Sequence, residues 1–99
     1  MPALPDARIT ELLATLPGWE RRGDEIVKTF ELPSFPAAIA FVTRIADRAE
    51  AADHHPDLDI RYRKVVVALS THDAGGITDK DFALAEEIES TLEQDAGRP

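Results

Sequence analysis

Ile9, Leu12, Leu13 and Leu16 recur at the i, i+3, i+4, i+7 spacing of an amphipathic helix, with Asp6 at its start. A first helix is therefore predicted over residues 6–16, ended by Pro17-Gly18. Two short segments follow, residues 19–22 and 25–32, on either side of Gly23-Asp24. In the second, Ile26, Lys28, Phe30 and Leu32 alternate with Val27, Thr29 and Glu31, and that two-residue period beside a glycine turn predicts a β-hairpin. Ser34 can cap a second helix, Pro36 is tolerated in its first turn, and Phe35, Ile39, Val42, Ala46 and Ala49 form an apolar stripe expected to face the core. Arg44 and Arg48 fall on the opposite side.

Pro56 biases His55 toward extended backbone, so this helix should stop between Ala52 and His54. Strand signals resume over residues 58–62 and 64–71, the latter containing Val65-Val66-Val67, and predict a second hairpin. Asp73-Ala74-Gly75-Gly76 reads as a turn, Thr78 as an N-cap, and Ala85, Ile88 and Leu92 as the inward face of a third helix, whose tail should fray after Asp95. The order helix, two strands, helix, two strands, helix describes one α+β domain over residues 1–99. Its simplest form is a four-stranded antiparallel sheet with three helices packed on one face.

Composition narrows the function classes. With 99 residues there is chain for one core and none for a separate lid or cofactor domain, so any active site is shallow. A formal charge of −8, with no basic stripe to offset it, argues against nucleic acid and anionic membranes as partners. The chain has no cysteine, which removes disulfides, thiolate catalysis and thiolate metal sites. Residues 1–15 show neither a basic start nor an apolar run of signal-peptide length, and no stretch approaches about 20 apolar residues, so the expected location is the cytoplasm.

All three histidines fall between Glu50 and Asp81, as His54-His55-Pro56 and Ser70-Thr71-His72. Imidazole gives and takes protons near neutral pH, so three of them beside acidic residues form a candidate acid/base set. Glu50 precedes His54 by one helical turn and is placed to orient it if the helix persists that far. On a wheel of about 100° per residue, Asp53 projects near the centre of the Phe35 stripe and Glu50 at its edge, so both acids are expected to tend inward. The alternative is that Asp53 lies past the helix end in solvent and that Glu50 pairs with Arg48 or another neighbour. Adjacent residues rarely point at one target, so spacing alone assigns one of His54 and His55 to a pocket and the other to structure. His72, at the end of the valine-rich strand, can return toward His54 if the hairpin closes.

Asp81 has two readings. It lies on the Ala85, Ile88, Leu92 face, yet Thr78-x-x-Asp81 also matches a capping box. Trp19, the only tryptophan, is either a core or rim aromatic or a flat wall for a heteroaromatic ligand. A zinc site built from His54, His55, His72 and Glu50 lacks any His-x-x-x-His pair, and nucleophilic catalysis by Ser70 or Thr71 lacks a Gly-x-Ser-x-Gly elbow.

Taken together, Glu50-x3-His54-His55-Pro56-x5-Tyr62-x9-His72-x8-Asp81 resembles the signature of the pterin-4a-carbinolamine dehydratase family. Coarser similarity runs over nearly the whole chain, including Gly18-Trp19, Phe35-Pro36 and Ser70-Thr71-His72-Asp73. The resemblance implies an α+β fold and a hydro-lyase that removes water from 4a-hydroxytetrahydropterin to give quinonoid dihydropterin, in recycling of the pterin used by aromatic amino-acid hydroxylases. It implies no metal and no organic cofactor, and a homodimer or homotetramer. His54, His55 and His72 are then the catalytic positions, with His55 and His72 expected in proton transfer and His54 in positioning. Glu50, Asp53, Ser70, Thr71, Trp19 and Asp81 are expected to bind or orient the pterin. The chain departs from the family in having Leu58 where many members have tryptophan and Arg63 where asparagine is common. Some mammalian members also serve as dimerisation cofactors of a homeodomain transcription factor, a role not carried over to this acidic chain. Some relatives have lost the histidines and act as assembly factors for a carbon-fixing enzyme, a role that the retention of all three here argues against; a non-catalytic interaction or assembly module of the same fold is the alternative.

Overall fold

The computed structural model describes residues 2–96; the tail beyond Ala96 lies outside the described residues. Helix α1 (Asp6–Leu13) leads into a hairpin of β1 (Glu20–Arg22) and β2 (Glu25–Glu31). Helix α2 (Phe35–Ala52), a second hairpin of β3 (Asp57–Arg61) and β4 (Lys64–Leu69), a 3-10 turn (His72–Ala74) and helix α3 (Asp79–Ala96) complete it. The four strands form one antiparallel sheet in the order β1-β2-β4-β3, because β2 and β4 pair and join the two hairpins. The expected α+β architecture is the one observed. The first helix is shorter than expected, and Leu16 is buried in the turns that follow it.

Two hairpin turns carry the residues that demand left-handed backbone. Gly23, at φ 61°, adopts it without steric cost, whereas Tyr62, at φ 55°, does so as a side-chain-bearing residue in the turn between β3 and β4. The inner face of the sheet places Ile26 and Phe30 of β2 beside Leu69 and Val65 of β4, and all four belong to the buried core. Trp19 packs edge-on against Phe30, with centroids 6.0 Å apart, and Phe30 lies 4.9 Å from Phe41 of α2. Aromatic packing thus runs from the first hairpin into the central helix.

Helix α2 starts as its sequence predicts, with the Ser34 side chain accepting from the Ala37 N–H at 3.2 Å and a proline in the first turn. Its inward face differs from the predicted stripe. Ala38, Phe41, Ile45 and Ala49 are buried, while Phe35 and Ile39 are 47% and 40% exposed. The helix carries two overlapping apolar stripes, roughly 80° apart at about 100° per residue, and periodicity alone does not rank them. Packing ranks them: Ala38, Phe41, Ile45 and Ala49 join Ile26, Phe30, Val65 and Val67 of the sheet and Ala85 and Ile88 of α3 in one buried cluster. In α3, Ala85 and Ile88 face inward as predicted, joined by Phe82 and Leu84. No helix among the described residues is long and apolar enough to cross a membrane.

Candidate active site

Rotation of α2 changes the placement of its two acids. Glu50 and Asp53 lie on the exposed side of the helix, not toward the core. Asp53 follows the last turn in left-handed backbone at φ 50°, its N–H bonded to the Glu50 carbonyl at 3.2 Å, while the His54 N–H reaches back to the Ala49 carbonyl at 3.1 Å. These two bonds form a Schellman motif with aspartate where glycine is usual. The reversal it makes turns His54 in toward α3 and leaves His55 outside.

The two histidines accordingly have different partners. His54, 11% exposed, places Nε2 2.6 Å from Oδ1 of Asp81, which is fully buried. Asp81 Oδ2 accepts from the Thr71 hydroxyl at 2.9 Å and from the Thr78 backbone N–H at 2.9 Å. Thr78 in turn accepts from the Lys80 N–H at 3.2 Å, so the predicted capping box is present. Both readings of Asp81 therefore hold in one side chain, one oxygen serving the helix end and the other the imidazole. An acceptor at Nε2 assigns the ring proton to that nitrogen and leaves Nδ1 uncommitted. His55, 59% exposed, pairs through Nε2 with Glu50 Oε1 at 2.6 Å. Glu50 thus meets His55 rather than His54, because helical geometry ends before His54.

The remaining members come from the far end of β4. Thr71 and Gly76 exchange backbone bonds of 2.9 and 3.3 Å across a short loop, and Gly75 at φ 70° closes the 3-10 turn that carries His72. This brings His72 back to the end of the sheet where α2 stops. One pocket of about 220 Å³ is lined by Asp53, His54, His55, Ser70, Thr71 and His72, together with Asp73 and Lys80. The Thr71 hydroxyl is engaged by Thr78 and Asp81, and the Ser70 hydroxyl donates to the Asp24 carbonyl at 2.7 Å, so both side chains are held in place by hydrogen bonds.

Three predicted ligand-binding residues lie elsewhere. Trp19 is in the core, its Nε1–H donating to Glu89 of α3 at 3.2 Å, and it does not line the pocket. Glu89 also takes the Lys28 ammonium, which fastens the first hairpin to α3. Glu50 is reached only through His55, and Asp81 only through His54 and Thr71, since it has no exposed surface. Leu58, at the position where many relatives have tryptophan, is likewise absent from the pocket lining. Lys80 was missed in the sequence, although a cation in the first turn of a helix, where the dipole favours anions, was a signal for it. Among the described residues, no group of three or more histidines and carboxylates is arranged to hold a metal ion.

Fold and site together define a small α+β domain with a shallow histidine–carboxylate pocket at the junction of sheet and helices. Residues 2–91 match the model of the family described as pterin 4 alpha carbinolamine dehydratase, and the chain belongs to that family. It is 63% identical over 89 residues to a Roseiflexus castenholzii protein, covering 90% of this chain and 96% of that one. It is 60% identical over 92 residues to a Chloroflexus aurantiacus protein, covering 93% and 99%. Both carry the name "Putative pterin-4-alpha-carbinolamine dehydratase". The crystal structure of a transcriptional coactivator/pterin dehydratase from Brucella melitensis superimposes with a TM-score of 0.86 at 31% identity, over 89% of this chain and 96% of that one. A pterin dehydratase-like protein identified as a RuBisCO assembly factor in the alpha-carboxysome shares the fold, with a TM-score of 0.60 at 19% identity over 73% and 83% of the two chains.

Proposed function

We propose that this protein dehydrates 4a-hydroxytetrahydropterin to quinonoid dihydropterin, by histidine acid/base catalysis, in the recycling of tetrahydrobiopterin in the cytoplasm. The observation that carries this reading is the meeting of all three imidazoles on one pocket, two of them backed by carboxylates. A protonated imidazole delivers its proton to the C4a hydroxyl, which leaves as water as the C4a–O bond breaks. The N5 lone pair forms the C4a=N5 bond, and a neutral imidazole takes the N5 proton, so one proton enters and one leaves.

Partner geometry supports unequal roles. His54 is held by a buried carboxylate and suits positioning, whereas His55 and His72 are exposed on the pocket and suit proton transfer. Asp53, Ser70 and Thr71 line the same pocket and provide polar groups for the pterin ring. His72→Ala is expected to lower kcat by about 10²–10⁴-fold, the usual contribution of a general acid or base. Purified protein that does not accelerate dehydration over buffer would overturn the proposal. A domain acting only as an interaction module would tolerate that substitution without loss of its cellular role. The family resemblance also favours a homo-oligomer, and the uncovered apolar side chains of β3 and α2 are a suitable surface for one.

A further inference from the structure

The histidine pocket, at about 220 Å³, falls below the roughly 300 Å³ at which sites for drug-sized ligands begin. A bicyclic ring seated there leaves little room for its substituent, which extends either into solvent or into a neighbouring space. Two such spaces adjoin. One, of about 340 Å³ beyond Ser70 and His72, sets Asp24, Glu25 and Asp57 against Arg22 alone and is net acidic. The other, of about 520 Å³, runs between α2 and α3 and shares both His54 and Lys80 with the histidine pocket.

The second groove has the chemistry of a tail site. Ala51, Ala52, Ala83 and Leu84 give it an apolar floor, and Ser90 adds a hydroxyl to its edge. Its charges balance, with Lys80 and Arg48 against Glu86 and Glu87, in a chain of formal charge −8. Arg48 is already paired with Glu87 at 3.2 Å. A groove without net positive charge offers little attraction to a phosphate or carboxylate, whereas mixed donors and acceptors over a small apolar floor suit hydroxyl groups. Lys80 stands where the two spaces meet. Among the described residues its ammonium makes no ion pair, and the dipole at the start of α3 disfavours a cation there, so local stability does not account for it.

We propose that the α2–α3 groove receives the neutral, hydroxylated substituent of the pterin ring, and that Lys80 donates a hydrogen bond to a hydroxyl of that substituent. This specificity site rests on the dehydratase reading above. It is tested by measuring KM for 4a-hydroxytetrahydropterins bearing a methyl, a dihydroxypropyl or a phosphorylated tail at position 6. The wild type is expected to show a KM for the dihydroxypropyl substrate about tenfold below that for the methyl substrate, the value of one hydrogen bond to a charged donor. Lys80→Met, which removes the donor, and Ala83→Leu, which fills the groove from an exposed position, should each bring the two KM values together. Equal KM values in the wild type, discrimination that survives both variants, or preference for the phosphorylated tail would overturn the inference. Dehydration of the methyl substrate with indifference to the tail overturns this inference alone. A wild type inactive on all three substrates overturns the functional reading and this inference with it.

Discussion

Asp81 divides its two oxygens between two tasks, holding His54 with one and closing the start of α3 with the other. Aspartate suits this position because it accepts at both oxygens, and burial protects the bonds from competing water. Asp81→Asn keeps the shape but offers an amide N–H₂ in place of one acceptor. Either the cap or the imidazole then loses its partner, and a donor facing Nε2 drives the ring proton to Nδ1. We expect kcat/KM to fall by about 10- to 100-fold, the range seen when an orienting partner is removed. Nitrogen-15 NMR should report the change of tautomer at His54; an unchanged tautomer with full activity would show that the carboxylate is only a cap.

The end of α2 sets the directions of His54 and His55, and it does so with an aspartate in left-handed backbone. That conformation costs an ordinary side chain roughly 1–2 kcal/mol, somewhat less for aspartate, and glycine adopts it freely. Asp53→Gly should therefore raise the unfolding free energy by up to about 1 kcal/mol, read from the urea midpoint. Because Asp53 also lines the histidine pocket, the same variant should raise KM several-fold. A gain in stability with no change in KM would assign Asp53 to the turn alone. Three elements thus meet at the pocket, the end of α2, the end of β4 and the start of α3, and the first two carry special backbone, at Asp53 and Gly75, that regular structure would not supply.

For the whole molecule, the sheet order leaves β3 at one edge with every residue exposed. Leu58 and Ile60 share the inner face with Val67 and Val65 yet remain 36% and 38% exposed, and Phe35 and Ile39 of α2 are also uncovered. An unpaired edge strand beside apolar side chains is the kind of surface that a second chain covers. Sedimentation is expected to show an oligomer, and Ile60→Lys to shift it toward monomer by placing a charge on that surface. A wild type that sediments as a monomer at high micromolar concentration would rule out this use of the edge.

The hairpins, the three helices and the caps at Ser34 and Thr78 were legible in the sequence, because each depends on local signals: a two-residue period, a turn glycine, a hydroxyl before an apolar run. The three histidines and the spacing around them were legible for the same reason. The inward face of α2 was not, since two apolar stripes compete and only packing against the sheet and α3 chooses Ala38, Phe41 and Ile45 over Phe35 and Ile39. That choice carried Glu50 and Asp53 outward. The pairings of His54 with Asp81 and of His55 with Glu50, the burial of Trp19, and the arrival of Lys80 beside the histidines were also decided by tertiary structure. The sequence determined which chemistry was available; long-range packing of α3 against α2 and the closing of the second hairpin decided which groups face one another, because those distances depend on parts of the chain far apart in sequence.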